Sequence, residues 1–121
     1  MQKNKTILVV DDDLDLLEST VDIIKNIGYD VITGTNGEEA VAKFREKMPD
    51  LVLMDIKMPK MDGYEAFFQI KKIHPDAKVI LITGNEIDNE KYLKAKAVTL
   101  ILVVTKPYSV EFLKEIIIRY S

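Results

Sequence analysis

The stretch Ile7-Leu8-Val9-Val10-Asp11-Asp12-Asp13-Leu14-Asp15 runs four aliphatic residues into three adjacent carboxylates, with a fourth two positions later. Consecutive aliphatics predict a strand covered on both faces, because a half-exposed strand alternates apolar with polar. Adjacent like charges repel, so the acids need a reason: a metal site, a catalytic pair, a helix cap or a solvated loop. Asp favours N-caps and first helical turns, so Asp13 and Asp15 read as the start of a helix. Asp11 and Asp12 are left at the strand end.

Outward from this stretch, short aliphatic runs alternate with longer amphipathic ones. Strands are predicted at residues 6–10, 30–33, 51–54, 78–83 and 100–104; the first, third and fifth, nearly all Ile, Leu and Val, are expected to be covered on both faces. Helices are predicted over 14–27 with Gly28 as the stop, over 36–47 with Asn36 as cap and Glu39 at the capping-box position, and over 63–73 ending at His74-Pro75. A weaker helix is predicted over 88–96, and a last one follows Ser109. This alternation predicts βαβ units, a parallel sheet and right-handed crossovers.

The chain has 121 residues, 47% of them apolar and 31% charged, which predicts one soluble globular domain, 1–121, with a core that needs no staples. A net charge of −3 gives no footprint for direct nucleic-acid binding. No apolar run approaches a membrane span, and the basic N-terminus leads into acid rather than a signal sequence. With no cysteine, thiolate metal sites, thiol nucleophiles and disulfides are excluded, and a cytoplasmic location is expected. Nothing after the last helix is expected to form an output domain.

In an open α/β sheet, ligands bind beyond the carboxyl ends of the strands. The first strand ends in Asp11 to Asp13, the third in Asp55, the fourth in Thr83, and the fifth leads to Lys106. Acids, a hydroxyl and an ammonium are thus expected on one edge. Clustered carboxylates stay ionised together only around a cation, and Mg²⁺ suits an all-oxygen site that keeps waters for a phosphate to replace. One carboxylate can attack phosphorus, while an ammonium and the metal neutralise the transferring oxygens.

The set VVDD (9–12), LVLMDIKMPKMDG (51–63), LITG (81–84) and TKPY (105–108) resembles the receiver domain of two-component response regulators over roughly residues 5–119. That resemblance implies a doubly wound five-stranded parallel sheet flanked by five helices, in the flavodoxin-like order 2-1-3-4-5. It makes Asp55 the phosphoacceptor and nucleophile. Asp11 and Asp12, with Asp55 and the Lys57 backbone carbonyl, would hold Mg²⁺ or Mn²⁺. Thr83 becomes the switch hydroxyl, Lys106 the partner of the phosphoryl oxygen, and Gly84 the residue that leaves room for that group. The Lys106–Pro107 bond is expected to be cis, and the side chains of Lys57 and Asn85 sit where the family tunes phosphate lifetime.

The implied function is a signalling switch rather than an enzyme. A sensor histidine kinase or histidine phosphotransfer protein would supply the phosphoryl group. The face of the fourth helix, fifth strand and fifth helix would meet a target or a second copy. Val103 departs from the family, which usually carries an aromatic residue three before the lysine. Valine has no rotamer able to swing inward, so the signal is expected to pass through backbone and helix movement. Ile101, Val103, Val110 and Ile118 enlarge the apolar surface there, either as core or as a contact face.

A phosphatase of the haloacid dehalogenase type would share the spacing of Asp11 and Asp13 but needs a late acidic motif, and no Asp follows Asp88. An FMN binder would not place three aspartates at its phosphate loop, and an EF-hand would need Gly where Leu16 stands. A receiver-like module that binds partners without phosphorylation is the remaining alternative. His74, the sole histidine, reads as a surface residue, and Asp62-Gly63 as a turn and helix entry.

Overall fold

The strands distribute their side chains between two cores by simple alternation, the period-2 rule of extended chain. The computed structural model describes residues 4–84 and 87–121, over which five strands alternate with five helices. The order is β1 (Thr6–Val10), α1 (Leu14–Asn26), β2 (Asp30–Gly34), α2 (Gly37–Lys47), β3 (Leu51–Asp55), α3 (Gly63–Ile73), β4 (Val79–Thr83), α4 (Asn89–Ala97), β5 (Leu102–Thr105) and α5 (Val110–Tyr120).

All strand pairs are parallel, and the sheet order is β2-β1-β3-β4-β5. Leu8, Val10, Val52, Met54, Val79 and Leu81 point to one face, where α2, α3 and α4 bring Phe44, Phe67, Ile70 and Ala95. Ile7, Val9, Leu51, Leu53, Ile80 and Ile82 point to the other, where α1 and α5 bring Leu17, Ile24, Leu113 and Ile117. Each fully buried side chain of this size contributes about 1.5–3 kcal/mol, which is why the central strands are almost purely aliphatic.

Each helix begins with a side-chain cap on the third following N–H: Asp13 on Leu16, Asn36 on Glu39, Asp62 on Glu65, Asp88 on Lys91 and Ser109 on Phe112. Asp13 and Asp15 therefore do belong to a helix start. Glu39 reaches back to the Thr35 N–H (3.2 Å) and hydroxyl (2.7 Å) rather than to the cap's own N–H. Gly28, at φ 98°, ends α1 in the left-handed backbone that glycine adopts without strain.

The fifth strand departs from expectation. It starts at Leu102, and Leu102 and Val103 are only half-buried, whereas all five residues of β4 are buried. The cause is position in the sheet: β5 pairs with β4 alone and forms an edge. Leu100 and Ile101 instead belong to the turn that leaves α4, the Leu100 N–H donating to Ala95 O at 3.1 Å. The apolar residues of this region divide: Ile101 and Val103 pack on the cores, while Val110 and Ile118 are exposed. His74 is half-buried, with its ring 6.5 Å from that of Phe44.

Candidate functional site

Chain order fixes where a site can form. From β1 the sheet grows first outward to β2 and then, on the other side, to β3 and beyond, so the crevice opens between the ends of β1 and β3. Asp11 follows β1 and its N–H donates to Gly34 O at 3.1 Å, holding the turn against the end of β2. Asp55 closes β3 and is paired in register with Ile82. Thr83 ends β4 opposite Thr105, and the Lys106 N–H donates to Thr83 O at 2.8 Å, so the fifth-strand lysine is tied to the fourth-strand threonine through backbone.

The side chains converge accordingly. Lys106 Nζ lies 3.5 Å from Asp55 Oδ2 and 3.7 Å from Asp11 Oδ2. Carboxylate oxygens of Asp11, Asp12 and Asp55 all lie within 4.8 Å of one another. Asp11, Asp55 and Thr83 are buried, whereas Asp12 faces solvent. Asp11 Oδ1 also accepts from the Asp13 N–H at 2.9 Å, which orients it for the cluster. Burial pushes the Asp55 carboxyl up to about 6; Lys106 opposes this, and Asp11 and Asp12 add to it.

Three acidic groups with a single ammonium among them are under-neutralised. A hard divalent cation with oxygen ligands fits that donor set, and one that leaves coordination positions to water suits the exposed side at Asp12. Lys57 is exposed at the start of the loop after β3. A methyl group placed at Gly84 would lie 3.8 Å from Lys106 Cδ, an ordinary contact, so packing within the protein does not itself require glycine there. The Lys106–Pro107 peptide bond is cis. Asn85 lies outside the described residues.

At three residues of this neighbourhood the structure adds contacts that the sequence pattern does not show. At Gly63, a Cβ would stand 2.5 Å from Asp55 O and 2.8 Å from Ile56 Cα, and its N–H donates to Ile56 O at 2.7 Å. The glycine thus lets α3 start directly against the acceptor loop, a close approach that the Asp-Gly pair, read as a turn and helix entry, does not itself reveal. Tyr108, two residues after Lys106, packs in a 290 Å³ groove between α1 and α5 that Leu16, Thr20, Ile23 and Leu113 also line. Burial raises the pKa of its hydroxyl, and the neighbouring Thr20 side chain lowers it. Tyr64 lies on the opposite side of the sheet among buried apolar residues, and no sequence pattern marks it.

Comparison with known proteins agrees with the fold. The family model described as response regulator receiver domain matches residues 7–118. Chemotaxis protein CheY of Thermotoga maritima is 46% identical over 81 residues, covering 66% of this chain and 68% of that protein. A CheY-like receiver domain protein of Methanospirillum hungatei superposes with a TM-score of 0.90 at 32% identity, covering 97% of this chain and 93% of the other. The CheX–CheY–BeF3–Mg complex of Borrelia burgdorferi gives 0.86 at 26% identity, covering 95% and 87%. Several similar transcriptional regulators are matched over 33% of their own length.

Proposed function

The chain belongs to the response regulator receiver domain family of two-component systems, and on that premise we propose that Asp55 takes up a phosphoryl group from a histidine kinase or histidine phosphotransfer protein. The observation that carries this reading is the placement of one buried carboxylate, Asp55, 3.5 Å from the Lys106 ammonium and clustered with Asp11 and Asp12. A receiver domain is a signalling switch, not an enzyme with a released product as its purpose. Neither the interaction-only module nor the dehalogenase-type phosphatase is favoured by the family match.

The transfer balances simply. An Asp55 carboxylate oxygen forms the new P–O bond as the donor's P–N bond breaks, and the imidazole nitrogen keeps the electron pair and takes up a proton. Lys106 holds one transferring oxygen, and the Thr83 hydroxyl closes on another once the group is in place. Asp11, Asp12, Asp55 and the Lys57 carbonyl would hold Mg²⁺ or Mn²⁺. Such an ion supplies charge neutralisation to the transferring oxygens and keeps Asp55 ionised despite its burial. Lys57 and Asn85 would set the lifetime of the acyl phosphate by controlling water at the rim.

The output is a shift of population toward an arrangement with different partner affinity. The exposed apolar residues Val98, Val110, Phe112 and Ile118 support a target or second-copy contact on the α4–β5–α5 face. We place the action in the cytoplasm, where kinases charge their histidines from ATP; no described helix is long and apolar enough to cross a membrane. The test is intact mass after incubation with Mg²⁺ and acetyl phosphate. Wild type should gain one phosphoryl group only with Mg²⁺, and Asp55→Asn none; an adduct persisting in Asp55→Asn would sink the assignment.

A further inference from the structure

α4 is the least anchored helix. Of its nine residues only Ala95 is buried, and Leu93 is 66% exposed. Its first turn is held by polar contacts: Asp88 Oδ1 accepts from the Lys91 N–H at 3.1 Å, and Lys91 Nζ reaches Asp62 Oδ2, at the cap of α3, at 3.2 Å. Exposed ion pairs of this kind hold little, and segments with few apolar contacts open most easily. Thr83 precedes Asp88 by five residues in the chain, which connects the switch hydroxyl to this turn.

In the first turn of α3, whose cap Asp62 is bridged to Lys91 of α4, Tyr64 is 2% exposed and its hydroxyl has no hydrogen-bond partner. A buried phenol normally finds a partner, and leaving one unpaired shifts an equilibrium by about tenfold. Phenylalanine would fill the same apolar volume without that cost, so the hydroxyl needs a reason. Burial raises its pKa and the carboxylates of Asp88 and Asp62 raise it further, which keeps it a donor at neutral pH and places those acids within electrostatic reach. A carboxylate that caps through one oxygen retains a second for another donor. Val103 provides no aromatic lever on this side of β5.

We propose that Tyr64 couples the acceptor site to α4: its hydroxyl, unpaired in this arrangement, donates to the Asp88 carboxylate when the first turn of α4 closes toward α3. The activated arrangement then holds one hydrogen bond that the other lacks, and the population moves accordingly. This rests on Asp55 being the phosphoacceptor.

The test combines urea unfolding with titration by beryllofluoride and Mg²⁺, a phosphoryl mimic, on wild type, Tyr64→Phe, Asp88→Asn and the double variant. Asn keeps the helix cap. Tyr64→Phe should unfold at the same or a higher urea midpoint without the mimic, yet bind it about five- to tenfold more weakly. Asp88→Asn should weaken binding in the same direction, with no further loss in the double variant. A lower midpoint for Tyr64→Phe, or equal affinity for the mimic while wild type binds, overturns the Tyr64 coupling alone. Failure of wild type to bind overturns the Asp55 assignment and the coupling with it.

Discussion

Asp55 is a carboxylic acid at the end of a fully buried strand, and burial lifts its pKa to about 6 from the usual 3.8. Its folded pKa lies above its unfolded one, so the stability linked to this group is fully present below the unfolded value and lost as pH rises toward 6. The span of about 2 pH units corresponds to about 3 kcal/mol, an upper figure for a residue with some solvent contact. Asparagine mimics the protonated acid, so Asp55→Asn in EDTA should unfold at a higher urea midpoint than wild type at pH 7, by roughly 1–3 kcal/mol. The gain should fade by pH 4. A variant no more stable at pH 7 would mean that Lys106 already neutralises the carboxylate. The acid itself was legible from its place after LVLM, but its strained ionisation was not, since that depends first on how deeply the fold buries the carboxyl and only then on how close Asp11 comes.

At the scale of elements, the α4–β5 connection shows how a local sequence misleads. Residues 100–104 are as aliphatic as β1, yet composition does not reveal which strand is the edge; chain order does. The connection is also held by a residue that reads as an ordinary helix-surface lysine. Lys71, 8% exposed near the end of α3, donates from Nζ to Pro75 O (3.0 Å), Ala77 O (2.6 Å) and Thr99 Oγ1 (2.9 Å). Thr99 stands at φ 64°, a backbone that a β-branched residue rarely adopts. Burial draws the Lys71 pKa below the usual lysine range, with Asp76 opposing. One ammonium therefore clasps the α3–β4 turn to the α4–β5 connection. Lys71→Met keeps the length but strips the three oxygens of their donor, and should lower unfolding stability by roughly 1–3 kcal/mol. Limited proteolysis should find new cleavage near residues 98–101. An unchanged midpoint would show that water replaces the ammonium without loss.

For the molecule as a whole, most of the site followed from a single topological rule. Once β1, β3, β4 and β5 are parallel neighbours, the residues after them share one edge, which is why four short motifs scattered over the chain sufficed to locate it. What the rule cannot supply is the contact between that edge and the helices, at Gly63, Tyr64 and Tyr108, because those depend on three-dimensional packing rather than on strand ends.

The same edge makes a prediction about global stability. A ligand that binds only the folded chain stabilises it by RT ln(1 + [L]/Kd), about 2.7 kcal/mol at a hundredfold excess over Kd. Asp11, Asp12 and Asp55 come within metal-binding reach only through the fold, so Mg²⁺ should raise the thermal midpoint of wild type in proportion to the logarithm of its concentration, and EDTA should abolish the rise. Protons compete for the same oxygens. As pH falls through about 6, Asp55 becomes protonated and the Mg²⁺-dependent increment should shrink. Asp12→Asn removes an exposed ligand with little packing role, so it should leave the metal-free midpoint nearly unchanged while reducing the increment. Equal increments at pH 5 and pH 7.5 would place the ion elsewhere on the acidic surface, since a site built on Asp55 must lose affinity as that carboxylate takes up its proton.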